Sequence, residues 1–134
     1  MPQRKTKNII DMEINKMTQR IIGCAIEVHK HLGPGLLESA YEECLAFELE
    51  KEGFTVRRQQ PTPVIYKDVK LDCGYRIDIL VEDSVVLEIK VVDELNPVHT
   101  AQILTYLKFS NKKYGFLFNF NVAALKNGIR RFIL

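Results

Sequence analysis

The sequence is poor in cysteine, in long apolar runs and in net charge, and each shortage removes a class of function. Its three cysteines, Cys24, Cys44 and Cys73, are odd in number and widely spaced, with no CxxC pair. That argues against a disulfide framework and leaves no zinc pattern. Cys24 and Cys44 read instead as small buried hydrophobes on helices. No apolar run approaches the ~20 residues that span a bilayer. The basic start, MPQRKTKNIIDME, lacks the apolar core of a signal peptide, because Asp11 and Glu13 follow "NII" at once. A cytoplasmic location without a membrane partner is expected. The net charge is only +2, too small by itself to argue for nucleic acid. Basic clusters at Arg4, Lys5 and Lys7, at Arg57 and Arg58, and at Arg130 and Arg131 fit solvated surface and equally fit phosphate contacts. Repeats, linkers and low-complexity segments are also missing, so residues 1–134 read as a single domain, with 1–7 flexible.

What is present is an ordinary globular balance, 46% hydrophobic and 27% charged. Ile10, Ile14, Met17, Ile21, Ala25, Val28 and Leu32 recur at steps of three and four, which predicts a long amphipathic helix. "HLGPG" stops it, since Gly33 suits a helix end and Pro34 cannot continue the turn. A second helix follows over about 36–51, closed by Gly53. From Phe54 the period changes to two. Strands are predicted in "FTVRRQ", on both sides of Lys67 and Asp68, in "CGYRIDILV" and in "VVLEIKVV". Asn96 and Pro97 then open a third helix to about Ser110. "KYGFLFNF" reads as a strand buried on both faces, and "GIRRFIL" as a last short one. The expected fold class is α/β, with a central mixed sheet flanked by helices.

The stretch "YRIDILVEDSVVLEIK", residues 75–90, carries Arg76, Asp78, Glu88 and Lys90 within two otherwise apolar strands. A hairpin centred on Asp83 sets Asp78 opposite Glu88 and Arg76 opposite Lys90. Ile79 with Leu87, and Ile77 with Ile89, then share the other face. Opposed carboxylates ~5 Å apart repel unless a cation or a proton lies between them. A solvated hairpin of mixed charge would carry the same residues. Two other features bear on the choice. Glu38 shares a helical stripe with Tyr41, Leu45 and Leu49, which aims it at the core or a cleft, while Glu42 and Glu43 can point outward. Gln102 and Tyr106 stack four apart on the third helix, whose first turns can cover the end of the Glu88 strand. His29, His31 and His99 are expected to have surface roles.

These residues resemble a known family. Gly35, Glu38 and Tyr41 in "GLLESAY" match the G-x-x-E-x-x-Y pattern of the GxxExxY proteins, which are grouped with the PD-(D/E)XK nuclease-like superfamily. The match runs on through Tyr66 and Lys67, D-x9-E-x-K at Asp78, Glu88 and Lys90, Q-x3-Y at Gln102 and Tyr106, and Asn119 with Phe120, over roughly residues 10–133. Ile77 stands where the superfamily's name has proline, and Asn121 where glycine often follows Asn-Phe. The resemblance implies a restriction-endonuclease-like core and Mg²⁺- or Mn²⁺-dependent hydrolysis of DNA or RNA. Asp78, Glu88 and Glu38 would serve the metal, and Lys90, Gln102 and Glu38 the catalysis. Tyr106, Arg76, Arg57 and Arg58 are candidate substrate contacts, with Lys112 and Lys113 as further backbone contacts. A catalytically silent nucleic-acid-binding, regulatory or oligomeric module of the same fold is the alternative. A homodimer is expected because the chain has no separate DNA-reading module.

Overall fold

The computed structural model describes residues 12–134 in full, side chains included. The expected flexibility of 1–7, the cluster at Arg4, Lys5 and Lys7, and Ile10 fall outside them. Helix α1 (Pro2–Leu32) and helix α2 (Glu38–Lys51) come first. Strand β1 (Val56–Pro61), the small hairpin β2 (Val64–Tyr66) and β3 (Val69–Leu71), and the strands β4 (Arg76–Val81) and β5 (Val85–Lys90) follow. Helix α3 (Pro97–Ser110) then leads to β6 (Tyr114–Asn119), a 3-10 turn (Leu125–Gly128) and β7 (Ile129–Ile133).

Among the described residues, five strands form one sheet in the order β1-β4-β5-β6-β7. Only β5 and β6 run parallel. A parallel pair needs a crossover, and α3 supplies it. The sheet is mixed, as expected, and helices cover both faces. On one face Ile21, Ala25 and Val28 of α1 and Tyr41, Leu45 and Leu49 of α2 pack on Ile79, Leu87, Ile89, Phe116 and Phe118. On the other, Ile103, Tyr106 and Leu107 of α3 pack on Ile77, Leu80, Val86 and Leu117. Strand β6 lies between β5 and β7, and its residues 115–119 are buried, in keeping with its near-continuous apolar sequence. Pro61 ends β1, an edge strand, where a missing N–H costs no ladder bond.

Local chemistry sets the turns. Lys67 and Asp68 at φ 47° and 64°, and Glu82 and Asp83 at φ 53° and 51°, carry the two hairpins. Left-handed pairs of this kind match the twist of antiparallel strands. Asn96 caps α3 by accepting from the Val98 N–H at 3.0 Å, and His99 Nδ1 accepts from the Asn96 N–H at 3.1 Å. His99 thus has a local capping role, and His31 is exposed and bonded to Glu27. His29 departs from the expected surface role. It is buried, its Nε2 lies 2.8 Å from the Val122 carbonyl, and it ties α1 to the loop after β6.

Candidate functional site

The β4 and β5 hairpin keeps the expected register for three pairs, Ile79 with Leu87, Leu80 with Val86 and Val81 with Val85. There the ladder stops. Beyond it Ile77 packs under α3 while Ile79 packs under α1 and α2, so the expected common face for Ile77 and Ile79 is broken at Asp78. Where the backbones part, acid side chains take over the missing bonds. Asp78 Oδ2 accepts from the Ile89 N–H at 2.8 Å, and Glu88 Oε1 accepts from the Asp78 N–H at 3.4 Å. The two carboxyl groups therefore meet in the splay. Glu88 is only 2% exposed. Burial first, then the charge of Asp78, pushes its carboxyl up to about 10, against a smaller opposing pull from Lys90.

Lys90, at the end of β5, donates to Gln102 Oε1 at 2.7 Å, and Gln102 Nε2 lies 3.5 Å from Tyr106 Oη. The helical i,i+4 stack read from the sequence thus reaches the lysine. Burial, then the neighbouring Glu88, raises the Tyr106 hydroxyl above its ordinary value. Arg76 does not face Lys90. Its guanidinium turns to the Tyr75 carbonyl at 3.1 Å and to Asp72 at 3.7 Å, because the strands have already separated.

The G-x-x-E-x-x-Y segment has a physical purpose. Gly35 sits at φ 100°, a backbone conformation that side chains resist. Tyr41 Oη donates to the Gly33 carbonyl at 2.5 Å and accepts from the Leu36 N–H at 3.1 Å. Its ring stacks on Phe120 at 4.4 Å. The loop between α1 and α2 is thereby pinned, and Glu38 is delivered as the first residue of α2. Glu38 is exposed there, whereas Tyr41, Leu45 and Leu49 of the same stripe are fully buried. The stripe runs off the edge of the core before it reaches Glu38. Partial desolvation raises its carboxyl, Lys90 opposes that rise, and Asp78 and Glu42 add to it.

The acid of α2 that is buried is Glu42, expected to point outward and in fact 7% exposed. Arg58 Nε and Nη2 donate to its Oε2 at 3.1 and 2.8 Å, and Gln59 Nε2 donates to its Oε1 at 2.6 Å. Gln59 also reaches Asp78 Oδ1 at 3.4 Å. Gln59 stands in the middle of β1 at φ 52°, between Arg58 and Gln60, whose partners Ile79 and Ile77 flank Asp78. Helical spacing marked neither residue. The signal available was the Arg58 and Gln59 pair, complementary to an acid one turn after Glu38.

Arg58 is thus engaged by Glu42. Arg57 and Lys112 both approach Asp83, at 4.0 and 3.1 Å. That is the hairpin tip, five residues from Asp78 and about 16 Å along a strand. Asn119 is buried and fastens the chain after β5 by accepting from the Val92 N–H at 3.2 Å and donating to the Val92 carbonyl at 2.9 Å. Phe120 N–H bonds the Lys90 carbonyl at 3.0 Å.

Two converging carboxylates with oxygen-only donors fit a hard divalent ion. Among the described residues no group of three or more His, Cys, Asp or Glu is placed to hold a metal. Further ligands would have to be backbone oxygen, water or substrate. Nor is any helix among them long and apolar enough to cross a membrane.

Neither a curated protein nor a solved structure matches the chain. A family model, the PD-(D/E)XK nuclease superfamily, matches residues 15–132, a span that takes in the splayed hairpin, Glu38, Gln102 and Tyr106. Nucleases of that superfamily generally use divalent metals. With its mixed five-stranded sheet, helices on both faces and a D-x9-E-x-K hairpin, the chain belongs to the PD-(D/E)XK nuclease superfamily.

Proposed function

We propose that the chain is a single-domain, metal-dependent nuclease of the GxxExxY type that hydrolyses phosphodiester bonds in DNA or RNA. The observation that carries this reading is the meeting of Asp78 and Glu88 where the β4 and β5 ladder stops, with Lys90 beside them. Mg²⁺ or Mn²⁺ would be held by Asp78 and Glu88, with Glu38 reached through water. When bound, such an ion supplies Lewis acidity toward a phosphate oxygen and activates water. Lys90 stabilises charge building on the phosphate, and Gln102 holds its ammonium in place. Tyr106 lies on the substrate side of Gln102. Arg57, Arg58 and Arg76 are proposed to meet the nucleic-acid backbone, Arg58 while it still braces Glu42. Localisation in the cytoplasm and a homodimer complete the proposal.

The test is calorimetric titration of Mn²⁺ into wild type and Glu88→Ala, followed by a nucleic-acid cleavage panel with Lys90→Ala. Saturable binding that Glu88→Ala abolishes, and metal-dependent cleavage that Lys90→Ala abolishes, are expected. No binding by wild type, even with a nucleotide phosphate present, would sink the reading. That no group of three or more His, Cys, Asp or Glu among the described residues is placed to hold a metal directly favours one second reading, a nuclease-like binding module without turnover. It predicts metal and nucleic-acid binding with no cleavage.

A further inference from the structure

Beside the candidate site lies a trough of about 490 Å³, lined in part by Tyr75, Val98, Gln102, Tyr106 and Phe109. We propose that this trough is a stacking subsite for an unpaired nucleobase, and that the substrate is therefore single-stranded nucleic acid or a frayed strand end. The inference rests on the nuclease reading and narrows its substrate.

Three observations lead there. The first is continuity. Gln102 and Tyr106 belong both to the trough and to the site: Lys90 Nζ lies 2.7 Å from Gln102 Oε1, and Gln102 Nε2 lies 3.5 Å from Tyr106 Oη. A group in the trough thus sits one side chain, that of Gln102, away from Lys90.

The second is chemistry. No lining residue is charged. Phosphate has no partner there, whereas a flat, uncharged ring does. Tyr75 and Tyr106 meet edge to face at 6.0 Å, and Tyr75 is half-exposed at 48%. Tyr106 itself is buried and backs the trough, so the stacking face is that of Tyr75. An exposed aromatic face stacks bases without regard to sequence. The Tyr106 hydroxyl accepts only a long bond from Gln102, which leaves its proton free to donate to a base edge.

The third is exclusion. A base inside a duplex has both faces covered and its pairing edge occupied, so only an unpaired or extruded base can enter. The trough falls within the volume range of small-ligand pockets and has ample room for a base.

The experiment measures binding of short oligonucleotides carrying 2-aminopurine, by its fluorescence, in four forms: single-stranded DNA, single-stranded RNA, the duplex, and a single strand abasic at the central position. Wild type is compared with Val98→Glu, a change at a 74% exposed position that the fold tolerates, and with Phe109→Ala. Folding is checked by thermal melting. The expected result is quenched emission and single-strand binding stronger than duplex binding. Loss of the base, or either variant, should weaken binding roughly 5- to 150-fold. The two single-stranded arms decide between DNA and RNA. Equal binding of duplex, abasic and intact strands overturns the proposal, as does a Val98→Glu protein that binds normally. Conversion of a dimer to a monomer by Val98→Glu, with oligonucleotide binding unchanged, also overturns it and assigns the trough to a second copy of the chain. Mn²⁺ titration of wild type keeps the two readings apart. If the metal binds but base discrimination is absent, the subsite alone fails. If discrimination is present without metal binding or cleavage, the hydrolytic reading fails and the subsite stands.

Discussion

Metal binding to this protein should release a proton, and the proton should come from Glu88. An ordinary glutamate ionises near 4.5, whereas burial and Asp78 push Glu88 up to about 10. At pH 7 the folded, metal-free protein therefore carries it protonated. Ionising it there costs about 4 kcal/mol, three pH units at 1.36 kcal/mol each. A divalent ion must overcome that cost, so its apparent affinity should rise on the order of tenfold per pH unit between pH 6 and 7.5. Stability of the metal-free protein has the opposite dependence. Between the unfolded and folded pKa values the folded chain binds the extra proton. The contribution is fully present below about 4.5 and is lost as pH rises toward about 10. Its slope has a ceiling near ~1.4 kcal/mol per pH unit. Glu88→Gln removes that slope and the metal site together. Calorimetry in two buffers of different ionisation enthalpy counts the protons, and one per Mn²⁺ is expected. A flat affinity with no proton released would refute the argument, because it would mean that Glu88 is already ionised or is not a ligand.

Three substitutions test the scaffold around the site. Gln59→Gly relieves a positive-φ backbone worth about 1–2 kcal/mol but loses the contacts to Glu42 and Asp78. Its melting temperature should hardly change while its Mn²⁺ affinity falls, and a fall in melting temperature with affinity intact would refute a positioning role. Tyr41→Phe keeps the stack on Phe120 and loses two hydrogen bonds of the 33–36 loop, a cost of about 1–3 kcal/mol in urea unfolding. Gly128→Ala would place a Cβ 2.1 Å from the Asn119 carbonyl oxygen, which is backbone and cannot swing aside. A loss of about 3 kcal/mol is expected in the same assay.

Much of the scaffold was legible because it is local. The cap at Asn96 and Pro97, the turns at Lys67 with Asp68 and at Glu82 with Asp83, and the three hairpin pairs around Asp83 follow from neighbours in the chain. So does the stack of Gln102 on Tyr106. The failures are non-local. Helical periodicity gives a direction but not the width of the buried arc, so it cannot tell that α2 buries Glu42 and exposes Glu38. What decides it is Arg58 and Gln59, sixteen and seventeen residues away. His29 is buried because Val122 offers it a carbonyl across a separation of 93 residues. Alternation likewise fails at Asp78, since a period of two assumes that the ladder continues.

A charged hairpin that merely faced water would keep its ladder, expose its acids and pair them with Arg76 and Lys90. Here the ladder ends at Ile79, Glu88 is buried against a second acid, and Arg76 turns away. Next to Asp78, Gln59 holds a left-handed conformation within a strand. Each departure costs stability, and all of them fall within one hydrogen-bonded neighbourhood. The same neighbourhood is braced from outside by the Arg58 and Gln59 bonds to Glu42 and by the Asn119 clasp on Val92. Strain that is concentrated in one place and over-determined by its surroundings is what the proposed nuclease site requires. With Glu88 protonated the two acids do not repel as a charged pair; a cation that displaced that proton would leave both ionised and offset their repulsion. On the proposed metal-dependent reading, the metal-free fold is the poised form of the site.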